Sequence, residues 1–278
     1  MVTMEIGNYT ASDGKILRFR EWRPEAYGSI VVNVHGIQSH SGWFVGSCEH
    51  LAKNGARVVS IDRRGSGLNE EKRGHTPSGR QLVEDLQAII EELRRDAPGK
   101  KLHLLGVCWG GKPAAILAGL RPDLVDSLIL SSPGLAAKVR PTALECALIG
   151  ICSLAWPGRL FRIPIERAEM FTANPDRIAF INSDLMRLDR ATARLMAESK
   201  RLDWLLAKVA PDIQAPALLL LSGCDEIVDN EGNRRIFDRF GSTEKRIELF
   251  DEARHMLEFE PNASRYFETL ARWIRELS

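Results

Sequence analysis

The sequence predicts an α/β protein with a mostly parallel β-sheet covered by helices on both faces. Short apolar runs recur along the chain, and stretches with helical character separate most of them. Such runs are typical of strands buried on both faces, and alternation of strand with helix indicates parallel connections. With 278 residues, 44% hydrophobic and 27% charged, the chain suits one large globular domain or a core with an insertion.

The predicted strands are short runs of apolar and β-branched residues, each bounded by polar or turn residues. In chain order they cover residues 4–10, 15–22, 29–36, 56–61, 101–107, 127–130, 217–222 and 245–250. The first two are joined through Ser12-Asp13-Gly14, a turn sequence that predicts a β-hairpin.

The predicted helices follow or separate these strands. They cover residues 47–54, 78–95, 112–120, 231–240 and 263–277. The clearest is 78–95, whose apolar residues recur at helical spacing at Leu82, Leu86, Ile89, Ile90 and Leu93.

The segment 134–211 interrupts the alternation and is predicted to be a helical cap inserted into a core formed by residues 1–133 and 212–278. It contains an apolar stretch, 142–156, and a polar helix-like stretch, 183–207. The apolar stretch is shorter than the roughly 20 residues that span a membrane. We interpret it as a buried cap helix, with a lid that lines an acyl-chain entrance or touches a membrane surface as the alternative.

Charge and cysteine content exclude several classes of function. The formal net charge is +1, which gives no electrostatic reason to expect a nucleic-acid partner. The five cysteines follow no disulfide or metal spacing, so we expect a reduced, cytoplasmic setting and no metal or other cofactor. Apart from Cys108 they are predicted to be small buried side chains. The N-terminus lacks the pattern of a signal peptide.

The stretch Leu104 to Gly111 predicts a strand, a Gly-x-nucleophile-x-Gly turn and a helix. Such a turn strains its central residue, so that the side chain stands at the top of the sheet and can attack a substrate. The central residue here is Cys108. A position at a helix N-terminus beside an imidazole favours thiolate, so we expect its pKa to fall below the free value of about 8.5.

A thiol nucleophile needs a base, a residue that orients the base, and donors for the oxyanion. His255 follows the last predicted strand and is the candidate base. Asp225 lies just beyond the strand 217–222 and is favoured as the orienting acid. Glu226 and Asp229 are its competitors, although Asp229 is expected to cap the next helix.

The oxyanion donors are predicted to be the backbone amides of Trp109, which follows the nucleophile, and Ile37, which follows the strand ending at His35-Gly36. His35 is expected to hold this loop rather than to act as a base. The glycine turn Asp62–Gly67 lacks phosphate-loop spacing and is interpreted as structural.

Together these residues resemble the α/β-hydrolase superfamily, and more narrowly its monoglyceride lipase and lysophospholipase branch (S33-type). The resemblance lies in the segments His35–Gly42, Asp62–Gly67 and Gly106–Gly111, the Asp225 segment and His255. It implies an eight-stranded sheet, a Cys108/Asp225/His255 triad and an oxyanion hole from Ile37 and Trp109. That branch uses serine as nucleophile, whereas this chain has cysteine, as do dienelactone hydrolases and polyhydroxyalkanoate synthases.

The expected function is an acyl hydrolase that cleaves an ester or thioester through an acyl-cysteine intermediate. The alternatives are an acyltransferase that passes the acyl group to an amine, alcohol or thiol, and a non-catalytic ligand-binding protein on the same fold. The expected partner is a small acyl substrate, free or bound to a carrier. Trp156 in the cap and His40 are the candidate substrate-binding residues. The sequence does not define an oligomeric state.

Overall fold

Eight strands form one sheet in this computed structural model, which describes residues 2–278. The strands of the protein are β1 (Met4–Thr10), β2 (Ile16–Trp22), β3 (Ser29–Val34), β4 (Ala56–Ile61), β5 (Lys101–Val107), β6 (Ser127–Ser131), β7 (Leu160–Arg162), β8 (Arg190–Thr192), β9 (Ala217–Ser222) and β10 (Lys245–Phe250). The sheet order is β1-β2-β4-β3-β5-β6-β9-β10. Within this eight-stranded sheet only the pairings of β2 are antiparallel, so the mostly parallel sheet is confirmed.

The helices agree with the predicted positions in the core to within one or two residues. They are α1 (Val45–Lys53), α2 (Gly79–Asp96), α3 (Gly111–Leu120), α4 (Ala143–Ala155), α5 (Pro175–Ser183), α6 (Ala193–Val209), α7 (Asn230–Asp238) and α8 (Ala263–Leu277). Ser78 begins α2, since its hydroxyl accepts a hydrogen bond from the Gln81 amide at 3.0 Å.

The chain reverses direction across the sheet at β3, and this reversal positions the site. The connection from β3 to β4 runs one way, and the connections from β4 to β5 and from β5 to β6 run the other. Right-handed crossovers therefore place α1 on one face and α2 with α3 on the other. Every residue of β3, β4 and β6 is buried, as the apolar runs predict. Ligand sites in such sheets lie beyond the carboxyl ends of the strands that flank the reversal.

The cap departs from the prediction because it is not purely helical. Besides α4, α5 and α6 it contains an antiparallel ribbon, in which β7 pairs with β8. The prediction of a helix over 183–207 is wrong for its first part, because α6 begins only at Ala193, with Thr192 as its N-cap. The chain before it is drawn away from a helical path by long-range contacts, among them the bond from the Ile163 amide to the Asp189 carbonyl.

The interpretation of α4 as a buried helix is wrong for its outer face. Only Ile149, Cys152 and Ser153 of this helix are buried, and the helix packs against α6. Leu144, Ile151 and Leu154 point outward with exposed fractions of 72%, 64% and 77%.

Among residues 2–278, no helix has both the length and the apolar character needed to span a bilayer.

The cysteines are only partly as expected. Cys48 and Cys152 are buried, but Cys146 and Cys224 are exposed, because the first lies on the outer face of the cap and the second in a loop between strand and helix. All five, including Cys108, are free thiols.

Candidate active site

The turn after β5 holds Cys108 in a strained conformation. Its φ is +52°, in the left-handed region that side chains other than glycine rarely adopt. The neighbouring glycines make this turn possible. A Cβ on Gly110 would lie 2.2 Å from the Val34 carbonyl oxygen, and one on Gly106 would lie 2.7 Å from Gly111 Cα. The strands β3 and β5 therefore approach the start of α3 more closely than a larger residue at Gly106 or Gly110 would permit. The Cys108 side chain lies just beyond the carboxyl end of β5.

His255 and Asp225 form a buried pair beside this turn. The His255 Nδ1 lies 2.8 Å from Asp225 Oδ2, and both side chains are fully buried. An ionised carboxylate has no proton to give, so the imidazole N–H is the donor. The other carboxylate oxygen accepts from the amides of Ile227 and Val228 at 2.8 and 2.9 Å. These bonds fix the carboxylate that fixes the imidazole ring.

The two competitors of Asp225 have other functions. Asp229 is the N-cap of α7, as predicted, and accepts from the Glu231 amide at 3.1 Å. Glu226 is half exposed and forms an ion pair with Arg167 at 3.0 Å. Within residues 2–278, neither forms a hydrogen bond or an ion pair with His255.

His255 and Cys108 influence each other's charge. Burial raises the pKa of the Cys108 thiol, but His255 and the Trp109 amide together outweigh burial and hold that pKa below its ordinary value. Burial lowers the pKa of His255, while the Asp225 carboxylate and the Cys108 thiolate raise it to about 10. Nε2 of His255 is nevertheless buried without a formed hydrogen bond in the described chain. This nitrogen is therefore not engaged by any other group among residues 2–278.

The loop after β3 lies against the nucleophile. A Cβ added to Gly36 would be 3.0 Å from Cys108 Cβ and 3.3 Å from its sulfur. The Gly36 amide donates to the Ser39 hydroxyl at 2.9 Å, which shapes the turn that contains Ile37. On the other side, the Trp109 indole Nε1 donates to Ser199 of α6 at 2.8 Å. The candidate oxyanion residues Ile37 and Trp109 therefore flank Cys108.

His35 and Asp62 have the structural roles expected of them. His35 is fully buried, its Nε2 accepts from the Arg63 amide at 3.2 Å, and burial keeps its pKa well below the ordinary value. Asp62 accepts from the Ser41 amide and hydroxyl at 2.7 and 2.8 Å. The turn after β4 is thus bonded to the turn after β3.

The two candidate substrate-binding residues lie in different surroundings. His40 is buried, its Nε2 lies 3.0 Å from Asp184 Oδ2, and its Nδ1 accepts from the Gly42 amide at 3.1 Å. Both ring nitrogens are therefore occupied. Trp156 stands at the end of α4 with 70% of its surface exposed. It lies on the outside of the cap.

Sequence reasoning missed Asp184, Ser199 and Arg63. Asp184 accepts from both His40 and Trp43, the latter at 2.7 Å, and so joins the cap to the loop after β3. Ser199 contacts the Trp109 indole from the cap. Arg63 lies inside the site, its guanidinium 5.1 Å from the Trp109 ring centroid. Sequence patterns give no signal for such residues, since each acts through a partner distant in the chain.

Within the described residues, 2–278, no cluster of three or more His, Cys, Asp or Glu side chains is arranged to hold a metal ion. An open depression of about 710 Å³ between β1 and α2 is lined by Thr10, Arg80 and Glu84 among others. It contains none of the candidate site residues, and we assign it no role.

The sheet, the strained turn and the buried His–Asp pair define an α/β-hydrolase fold. Residues 26–262 match the family described as serine aminopeptidase, S33, and the chain belongs to that family.

Comparisons with known proteins agree with this assignment. The chain is 25% identical over 271 residues to the monoglyceride lipase of Homo sapiens, covering 95% of this chain and 88% of that protein. It is 23% identical to an uncharacterized abhydrolase domain-containing protein of Dictyostelium discoideum, of which it spans 29%. The crystal structure of the Paleococcus ferrophilus monoacylglycerol lipase superposes over 100% of both chains, with a TM-score of 0.80 and 27% identity. The predicted α/β-hydrolase fold is confirmed.

Proposed function

We propose that this protein hydrolyses a small acyl ester or thioester, with Cys108 as the nucleophile, His255 as acid and base, and Asp225 as the residue that orients His255. The proposal is supported by a strained cysteine and a buried imidazole–carboxylate pair that come from distant parts of the chain. Cys108 has a φ of +52°, His255 Nδ1 lies 2.8 Å from Asp225 Oδ2, and the charge of His255 lowers the pKa of the Cys108 thiol. Strain and buried charge are costly, and they persist at sites where they serve chemistry.

The first half of the proposed reaction forms a thioester. The Cys108 thiolate attacks the carbonyl carbon, and the carbonyl oxygen becomes an oxyanion that accepts from the amides of Ile37 and Trp109. The bond to the leaving group then breaks, and His255 gives its proton to the departing alkoxide or thiolate. The alcohol or thiol leaves, and the acyl group stays on the sulfur.

The second half releases the acid. Neutral His255 takes a proton from water, the resulting hydroxide attacks the thioester carbonyl, and the oxyanion again accepts from the same two amides. The carbon–sulfur bond breaks and restores the thiolate beside the imidazolium. Asp225 keeps the Nδ1 proton in place throughout, so that Nε2 is the nitrogen that exchanges protons with substrate.

The substrate class is proposed from the relatives and from the thiolate. The human and Paleococcus proteins are named as lipases of monoglycerides, so acyl esters of glycerol are the first substrates to test. Thioesters and activated esters are the second, because a thiolate is a good nucleophile and their leaving groups depart easily.

The test is to trap the acyl-enzyme. The protein is incubated with a p-nitrophenyl ester, an acyl thioester or a monoacylglycerol, quenched in acid, and digested for mass spectrometry. We expect an acyl adduct on the peptide that contains Cys108, released p-nitrophenol, and neither in Cys108→Ala. Cys146→Ala is the matched control, since Cys146 is an exposed thiol on the cap. Full turnover by folded Cys108→Ala would refute the mechanism.

The same assay distinguishes hydrolysis from transfer. When amines, alcohols or thiols are added with the substrate, a hydrolase gives the free acid at an unchanged rate. An acyltransferase gives a new amide, ester or thioester at the expense of the acid. A protein that binds acyl compounds without chemistry gives neither the adduct nor a product.

The outer face of the cap supports a proposed contact with lipid. Apolar surface is exposed at four positions of the same helical segment: Leu144, Ile151, Leu154 and Trp156. A single exposed apolar side chain is ordinary on a protein surface, but a group of them indicates a binding surface. We propose that this face and Trp156 receive acyl chains from a lipid aggregate. Cosedimentation with phosphatidylcholine vesicles is expected for the protein and is expected to weaken in Ile151→Glu with Leu154→Glu. Equal sedimentation of both proteins would contradict this role.

A further inference from the structure

Arg63 is a buried cation that has no carboxylate partner among residues 2–278. It follows β4, and only 6% of its surface is exposed. Within residues 2–278 its side chain makes one described hydrogen bond, from Nη2 to the Ile37 carbonyl oxygen. Its Nε is buried and has no hydrogen-bond partner in the part of the chain that the structure describes. An unpaired charge in such a place is costly, so its retention calls for a physical reason.

Other buried cations of the chain are paired conventionally. Arg64, the next residue, contacts Asp85 at 2.6 Å, and Lys112 contacts Asp203 at 2.6 Å. Asp62 is adjacent to Arg63, but its carboxylate accepts from Ser41 and from the Leu68 amide. Its ion pair is with Arg20 at 3.4 Å, and within residues 2–278 it forms none with Arg63. The absence of a partner is therefore particular to Arg63 among these residues.

The guanidinium lies between the two residues whose amides are proposed to bind the oxyanion. It donates to the carbonyl of Ile37, and it stacks over the indole of Trp109 at 5.1 Å. A planar cation suits both contacts at once, because it can donate in its plane and present its face to a ring. Arg63 thereby connects the loop after β3 with the turn after β5.

The charges of the site complete the argument. Burial lowers the pKa of Arg63 to about 10, against the opposing effect of the Asp62 carboxylate and the Cys108 thiolate, so it is a cation at neutral pH. Arg73 is a further cation that acts on it. The thiolate, the imidazolium and the Asp225 carboxylate sum to one excess negative charge.

We propose that Arg63 is the positioning residue and countercharge of this site: it fixes the Ile37 loop against Trp109 and offsets the excess negative charge of the thiolate–imidazolium–carboxylate set. The proposal rests on the proposed function. The same excess persists when the negative charge moves from the sulfur to the oxyanion, and also in the acyl-enzyme, where His255 is neutral. One fixed cation therefore balances every stage, without having to move.

The test measures the Cys108 thiol directly and needs no substrate. Iodoacetamide alkylation is followed by mass spectrometry across pH 5 to 10, and the midpoint gives the thiol pKa. In Arg63→Gln and Arg63→Met we expect about three- to tenfold less thiolate at pH 7, because one opposite charge is lost. Arg63→Lys is expected to keep the midpoint near that of the parent. Arg80→Met is the matched control, since it removes an exposed cation whose side chain is 85% accessible.

Activity gives the second measurement. With an ester that the parent turns over, the two uncharged variants are expected to lose kcat by about 10- to 100-fold with little change in KM, because the charge acts in the transition state. Arg63→Lys should recover part of this loss. Circular dichroism and thermal unfolding establish that each variant is folded. Two uncharged replacements are used so that the test still works if one of them does not fold.

Two outcomes would overturn the role of Arg63. One is an unchanged thiol midpoint in a folded, uncharged variant. The other is a loss confined to substrates that carry a carboxylate, such as a succinate half-ester, with neutral esters unaffected; Arg63 would then recognise the substrate. If the parent cleaves no ester, the proposed function fails, while the thiol titration still decides whether Arg63 acts on Cys108.

Discussion

Replacing Gly110 by alanine tests the geometry on which the site depends. The new Cβ would lie 2.2 Å from the Val34 carbonyl oxygen and 2.6 Å from that of His35. Both atoms belong to the backbone at the end of β3, so no side chain can turn away to make room. The helix start and the strand end would have to separate by about 1 Å to restore an ordinary contact, which lies near 3.5 Å.

The magnitude follows from that displacement. Overpacking in a close-packed core costs about 1–3 kcal/mol and occasionally more, and a clash with backbone belongs at the upper end. For a chain of this size we expect the midpoint of thermal unfolding to fall by about 6–12 °C. The loop that carries Ile37 starts at the same strand end, and a shift of about 1 Å there is expected to lower kcat/KM by about 100-fold.

Calorimetry and ester hydrolysis are the assays, with Gly150→Ala as the matched control. A Cβ on Gly150 meets no atom within 4 Å, and Gly150 lies inside α4. Alanine is the better helix former, so this variant should gain about 0.5–1 kcal/mol. If Gly110→Ala melts with the parent and hydrolyses esters equally fast, the close approach of β3 and α3 is not a requirement of the site.

Three further predictions concern titration and access. First, kcat/KM should rise with pH as Cys108 loses its proton, with a midpoint below the ordinary pKa of a thiol. It should fall near pH 10, where His255 loses the proton that the leaving group needs. Second, burial raises the pKa of Glu258 to about 7, so its folded form prefers the neutral acid. The stability gained from the neutral acid is complete below the pKa that Glu258 has in the unfolded chain, and it is lost as pH rises to about 7. Between these two pKa values, Glu258→Gln should become more stable than the parent, by up to about 3 kcal/mol. Third, Asp184→Ala removes the two bonds that Asp184 accepts from His40 and Trp43, while the bonds of the loop residue Gln38 to the cap remain. Cys108 should then be alkylated about tenfold faster because the cap opens more often.

Each of these has a direct check. Alkylation of exposed Cys224 serves as the internal standard in the third, and Asp189→Ala, which removes a 70%-exposed carboxylate from the same cap segment, is its control. Equal alkylation rates in the Asp184 and Asp189 variants would contradict gating by the cap. For Glu258, urea unfolding at pH 5 and pH 8.5 must show a difference that grows with pH. A pH–rate profile with no descending limb near pH 10 would argue against His255 as the acid.

The sequence by itself determined the core of the fold. Apolar runs specified strands because a strand covered on both faces has no polar side to present, and β3, β4 and β6 are buried along their whole length. The glycine spacing specified the turn at Cys108, since only glycine permits so close an approach of strand and helix. The pairing of His255 with Asp225 could be predicted because chain order and strand ends constrain where such groups meet, and the two lie 2.8 Å apart.

Only the tertiary structure decided the cap and the electrostatics. The path of residues 184–192 depends on bonds to His40 and Trp43, more than 140 positions earlier, and no local pattern encodes such contacts. The exposure of α4 depends on which of its sides α6 covers. Arg63 shows the reason most clearly, because nothing in the sequence distinguishes it from other arginines. It becomes buried between the Ile37 loop and Trp109 only when the ends of β3, β4 and β5 come together in the sheet.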